Sequence, residues 1–258
     1  MLALDARGLG PQCGRDRLSG SHCAFGEREE RVSPEPLTIA VDEAVRVSAL
    51  LQVPQGARAC YVLAHGAGAG MAHPFMRSVA DELSERGIAT LRYQFPYMEE
   101  GRKRPDQPKT AHAAVRAAVA QASRLVPGLS LLAGGKSFGG RMTSQAQAAV
   151  PLQGVFGLVF LGFPLHPAGH PSRERAKHLF DVRIPMLFLQ GTRDTLADLS
   201  ELEPLCAALG PRATLKLFQE ADHSFHVRAR TGLTDAQIRG SMLDAFAAWM
   251  DAVIDPSS

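Results

Sequence analysis

Gly135-Lys136-Ser137-Phe138-Gly139 stands between an apolar run, Leu129 to Ala133, and an Ala- and Gln-rich run from Gly140 to Val150. A buried strand that passes at once into a helix leaves little room at the turn, and glycines two residues to either side of a central serine relieve the crowding. The stretch therefore predicts a strand, a tight strained turn and a helix packed on a sheet, with Ser137 at the exposed apex. A phosphate-binding loop is the competing reading of Gly135-Lys136-Ser137. That loop needs a glycine five residues before its second one. Position 130 is Ser130, and Leu131 and Leu132 occupy the place where the backbone would wrap a phosphate.

A serine presented in this way becomes a nucleophile only with a base to take its proton and an acid to orient the base, and these follow in the order Ser, Asp or Glu, His. Pro185 to Gly191 reads as an apolar strand ending in Gly191-Thr192-Arg193-Asp194. Asp194 is thus expected just past a strand's C-terminal end, with Asp198 as the reserve candidate. Ala213 to Phe218 reads as the next strand and runs into Glu220-Ala221-Asp222-His223-Ser224-Phe225. His223 is the expected base, with His226 competing for the role. Their bland alternatives are an ordinary helix cap for Asp194, ahead of the helix Asp198 to Leu209, and the same duty for Ser137.

Upstream, Ala59 to Ala64 reads as a central strand emptying into His65-Gly66-Ala67-Gly68-Ala69-Gly70, where small residues let backbone N–H groups approach a ligand. A developing oxyanion needs two such donors, expected from Phe138 and Ala67. The alternating glycines fall short of a dinucleotide fingerprint, because Met71 stands where its third glycine belongs. His65 is expected to hold the loop. Gly68, Tyr97 and Lys136 are the candidate substrate contacts: Tyr97 follows Phe95-Pro96, and Lys136 precedes the nucleophile.

These residues, together with Leu91-Arg92-Tyr93-Gln94-Phe95-Pro96-Tyr97, Gly134 to Arg141, Phe163-Pro164-Leu165-His166 and Ala221-Asp222-His223-Ser224, give the chain a resemblance. It resembles the α/β-hydrolase superfamily over about residues 58 to 250. Within that superfamily it looks like a bacterial group of small dienelactone-hydrolase-like proteins that includes a mammalian testis-expressed relative. The resemblance implies Ser137, Asp194 and His223 as nucleophile, acid and base. Where dienelactone hydrolases carry a nucleophilic cysteine, this chain has Ser137.

The 258 residues, 45% of them apolar, suit a single α/β domain. Residues 1 to 35 are rich in Gly, Arg, Ser and Glu without an apolar period, and are expected to be a disordered extension; residues 36–258 form the domain. Leu37 to Val41 and Val45 to Val53 predict a hairpin around Asp42-Glu43. From Ala59 onward strands and helices alternate: helix His73 to Arg86 with Pro74 first, strand Ile88 to Phe95, helix Thr110 to Val126, strand Val155 to Phe163 and a closing helix Thr234 to Ile254. The expected fold class is α/β: a mostly parallel, doubly wound sheet with antiparallel N-terminal edge strands. Only about twenty residues separate Pro164 from Ile184, so little or no lid is expected.

A net charge of +2 gives no steering toward nucleic acid or a membrane surface, and no stretch has the length of a membrane span. Cys13, Cys23, Cys60 and Cys206 show no paired metal spacing, and the last two sit in apolar runs. No metal and no cofactor is expected, and a reducing cytoplasm is the expected compartment. The expected function is a serine hydrolase acting on a small carboxylic ester or thioester. A non-catalytic interaction protein of the same fold is the alternative.

Overall fold

The computed structural model describes residues 32–254. Strand β1 (Glu35–Ala40) opens at the last residue of the segment expected to be an extension, whose residues 1–31 lie outside the described part. It pairs antiparallel with β2 (Arg46–Gln52). Asp42 closes the turn, its Oδ1 accepting the Ala44 and Val45 amides at 2.9 and 2.8 Å. The chain then runs β3 (Ala59–Ala64), α1 (Pro74–Ser84), β4 (Ile88–Tyr93), α2 (Pro96–Glu99), α3 (Pro108–Leu125), β5 (Ser130–Lys136) and α4 (Phe138–Ala149). It closes with β6 (Val155–Leu161), β7 (Met186–Gly191), α5 (Leu199–Leu209), β8 (Ala213–Phe218) and α6 (Asp235–Ile254).

One eight-stranded sheet results, in the order β1-β2-β4-β3-β5-β6-β7-β8. β2 meets β4 antiparallel, and every pair from β4 and β3 to β7 and β8 is parallel. Period-two alternation sends neighbouring residues to opposite faces. Cys60, Val62, Ala64, Leu131 and Ala133 join one apolar cluster with α3, α4 and α5, while Tyr61, Leu63, Leu132 and Leu189 join the other with α1 and α6. Parallel strands buried on both faces read as continuous apolar runs, which is why β3 and β5 stood out in the sequence. The α6 stripe Ile238, Met242, Phe246, Trp249 and Met250 is core, as expected. Burial pushes the thiols of Cys60 and Cys206 up to about 12.

The registers Ala64↔Gly135, Gly135↔Phe160, Phe160↔Phe188 and Gly191↔Phe218 bring the C-terminal ends of β3, β5, β6, β7 and β8 to one edge of the sheet. Between β6 and β7 the cover is a single 3-10 helix, Glu174–Asp181, seated on the α4 side through buried Ala176 and Leu179. No helix among the described residues is long and apolar enough to cross a membrane.

Candidate active site

β5 ends at Lys136 and α4 begins at Phe138, so Ser137 makes the turn alone, with φ 50° and ψ −113°. Such backbone costs on the order of 1–3 kcal/mol and persists only where the surroundings enforce it. Here the Ser137 N–H donates to the Leu161 carbonyl (3.2 Å) and the Arg141 N–H donates to the Ser137 carbonyl (3.1 Å). The flanking glycines are required by contact. A β-carbon at Gly135, whose φ is +149°, would lie 2.1 Å from the Ala64 carbonyl oxygen, and one at Gly139 would lie 2.6 Å from that of His65.

The turn lifts Ser137 Oγ to His223. Oγ–H donates to His223 Nε2 over 2.8 Å, and His223 Nδ1–H donates to Asp194 Oδ2 over 2.6 Å. Asp194, only 4% exposed, sits in the turn after β7, where the Leu196 N–H donates to Oδ1 (2.8 Å) and Gln190 Nε2 donates to Oδ2 (2.5 Å). Gln190 Oε1 in turn accepts the Phe163 N–H at 2.9 Å, which ties the segment just after β6 to the Asp194 carboxylate. A hydroxyl, an imidazole and a carboxylate so linked can pass a proton from oxygen to nitrogen while the carboxylate balances the charge the ring gains.

The competing residues lie elsewhere. His226 is exposed, with Nδ1 2.9 Å from Asp235 Oδ2, and Asp198 stands beside buried His166, whose Nε2 accepts the Asp198 N–H at 3.0 Å. A second serine–histidine contact, Ser144 Oγ to His178 Nε2 at 2.7 Å, lies within the body of α4. There the Ser144 hydroxyl also reaches the Arg141 carbonyl (3.0 Å), and no carboxylate among the described residues bonds His178.

The loop after β3 borders the elbow: a side chain at Gly66 would come 3.8 Å from Ser137 Cβ. The segment at the end of β4 and beyond it holds this loop in place. Phe95 N–H donates to His65 Nε2 (3.0 Å), while His65 Nδ1–H donates to the Gly66 carbonyl (2.8 Å), the neutral tautomer that burial favours by lowering the ring's pKa. Gln94 Oε1 accepts the Met71 N–H at 2.9 Å, and buried Arg92 donates to the Met71 carbonyl at 3.2 Å. The Ala67 N–H has no acceptor among the described residues, and the Phe138 N–H, at the first position of α4, has none within its helix.

Tyr97 and Lys136 depart from the expectation of substrate contacts. Tyr97 is fully buried, and its hydroxyl accepts the Gly68 N–H at 3.3 Å. Lys136 turns its ammonium onto the His223 carbonyl (2.5 Å), near the Phe225 ring, and burial pulls its pKa down to about 8. Gly68 itself faces open space. Arg92 and Gln94 fall in a stretch that carries the resemblance but, like Gln190, are not among the expected site residues, since each acts only through a contact made by folding.

Residues 57–251 match the family model described as an alpha/beta hydrolase domain. Among solved structures, a dienelactone hydrolase from Anabaena variabilis is 21% identical, with a TM-score of 0.71 over 87% of this chain and 99% of its own. An α/β serine hydrolase without lid from Xanthomonas campestris is 21% identical, with a TM-score of 0.65 over 84% and 95%. The esterase domain of a Rhodothermus marinus protein is 16% identical, with a TM-score of 0.64 over 84% and 97%. At such identities the likeness is one of fold.

Proposed function

Because this chain belongs to the alpha/beta hydrolase domain family, we propose that it is a serine hydrolase cleaving a small carboxylic ester or thioester through an acyl-enzyme. The observation that carries this reading is the hydrogen-bonded chain Ser137–His223–Asp194 on a strained turn. Within the family we place it in the small dienelactone-hydrolase-like group, on the motifs around Ser137, Asp194 and His223.

Ser137 Oγ attacks the carbonyl carbon as its proton passes to His223 Nε2, and the Asp194 carboxylate stabilises the imidazolium. The N–H groups of Phe138 and Ala67 hold the oxyanion. Collapse breaks the C–O or C–S bond, the leaving group takes the proton from His223, and water repeats the sequence on the acyl-enzyme. Burial of Asp194 and its bonds from Gln190 and Leu196 keep the carboxylate turned to Nδ1.

Steady-state hydrolysis of short-chain p-nitrophenyl esters and aryl thioesters tests this. Ser137→Ala, His223→Ala and Asp194→Asn should each lose at least about a hundredfold in kcat, and the His223→Ala/Asp194→Asn pair should lose little more than His223→Ala alone. His226→Ala and Asp198→Asn should remain near wild type. A dead His226→Ala beside an active His223→Ala would transfer the base to His226. Equal, negligible turnover in every variant and the wild type would favour a non-catalytic protein.

A further inference from the structure

The His223 ring is held from both sides, by Ser137 Oγ at 2.8 Å and Asp194 Oδ2 at 2.6 Å. Its backbone makes a single hydrogen bond among the described residues: the Lys136 ammonium donates to the His223 carbonyl over 2.5 Å. The residue before the nucleophile thus grips the residue that takes the nucleophile's proton, across 87 positions of chain.

The loop carrying His223 is strained at both ends, since Glu220 and Phe225 have φ values of 58° and 61°, uncommon for residues with a side chain. Such backbone persists only where the surroundings enforce it. Asp222 Oδ1 accepts the Ser224 and His226 amides at 2.8 and 3.0 Å, which sets the loop's own shape. The Arg193 N–H on the Ala221 carbonyl (2.9 Å) and the Glu220 N–H on Thr192 Oγ1 (2.9 Å) tie its start to the β7 turn. None of these bonds involves the His223 backbone.

Two glycines leave room for the lysine. A β-carbon at Gly66 would lie 3.4 Å from Lys136 Cγ, and one at Gly162 would lie 3.1 Å from Nζ and 3.5 Å from His223 Cε1. The Phe225 ring stands with its centroid 5.7 Å from Nζ. No carboxylate pairs with Lys136 among the described residues; Asp194 and Asp222 attract it from farther away. An ammonium drawn out of water without a paired carboxylate costs stability that an apolar side chain would not. What it supplies in return is a charge-assisted bond to one carbonyl.

Resting on the serine-hydrolase reading, we propose that Lys136 is a positioning residue for that reaction, holding the His223 carbonyl so that the imidazole stands within hydrogen-bond reach of both Ser137 Oγ and Asp194. It acts through His223 and not on the substrate. Because Lys136 adjoins Ser137 in the chain, the bond couples the base loop to the elbow itself. Misplacing a reacting group by about 1 Å can cost on the order of a hundredfold in rate.

Lys136→Met, which keeps most of the stem and removes the donor, tests this in the full chain, with Lys136→Gln as the second variant if it fails to fold. On p-nitrophenyl butyrate, kcat should fall about tenfold or more while KM stays within about threefold. An unchanged kcat in the folded variant, with or without a raised KM, would overturn this inference alone and leave the hydrolase reading standing. Proton NMR supplies a readout that needs no turnover: the downfield resonance of the His223 Nδ1–H bonded to Asp194, assigned by its absence from His223→Ala. In Lys136→Met it should broaden or disappear as the imidazole loosens and its proton exchanges with water. That result supports the tether even if no ester is hydrolysed. A resonance unchanged in position and width overturns it.

Discussion

Lys136 ends β5 with its ammonium on the His223 carbonyl, and burial lowers its pKa from the usual 10.5 to about 8 against the attraction of Asp194 and Asp222. The unfolded chain keeps the ordinary value. Between about pH 8 and 10.5 the unfolded state therefore holds a proton that the folded state has released, so the stability contributed by this group rises with pH across that window and is lost as pH falls through 8. Urea unfolding of wild type and Lys136→Met should show the difference moving in favour of wild type from about pH 7 to about pH 10; a difference independent of pH would contradict a charge buried here. At this scale the sequence was read well for residue type and less well for direction. Ser137, Asp194 and His223, each expected where a strand ends, lie within hydrogen-bond reach of one another. Adjacency of Lys136 to Ser137 along the chain does not say which way its side chain points once the strand is pleated, and the place of Tyr97 after Phe95-Pro96 does not say that its ring is buried with the hydroxyl on the Gly68 N–H.

The elbow is the element that brings Ser137 and His223 together, and its constraint is steric. Gly135 lies against the Ala64 carbonyl in a backbone conformation that L side chains rarely adopt, so Gly135→Ala must push β5 away from β3 as well as strain its own dihedrals. It should destabilise the protein by on the order of 3 kcal/mol or more, or prevent folding. A melting temperature within a few degrees of wild type would refute the close approach. The long elements were legible because their apolar period is strong: β3 and β8 have the bounds expected, and α1 begins at Pro74 as expected. Helix α2 and the 3-10 helix Glu174–Asp181 were not. Four residues beginning at Pro96, and eight in a 3-10 winding, are too short to show a period, and both are set by packing.

Across the whole molecule, the parallel register gathers loops from distant parts of the chain at one sheet edge, where the β3 loop, the β5 elbow, the β7 turn and the β8 loop meet. That convergence follows from topology and was readable from alternating strands and helices alone. The clamp of Arg92, Gln94, Phe95 and Tyr97 on the β3 loop was not, since it depends on β4 lying beside β3 in a strand order that reverses the chain order. The proposed hydrolysis requires Ser137 to be an activated nucleophile. Its most direct measurement is labelling of the purified full chain with a fluorophosphonate probe, followed by peptide mapping. One modified residue, Ser137, is expected, with labelling abolished in Ser137→Ala and strongly slowed in His223→Ala. Labelling at Ser144 or any other residue, or no labelling of folded wild-type protein, would contradict it.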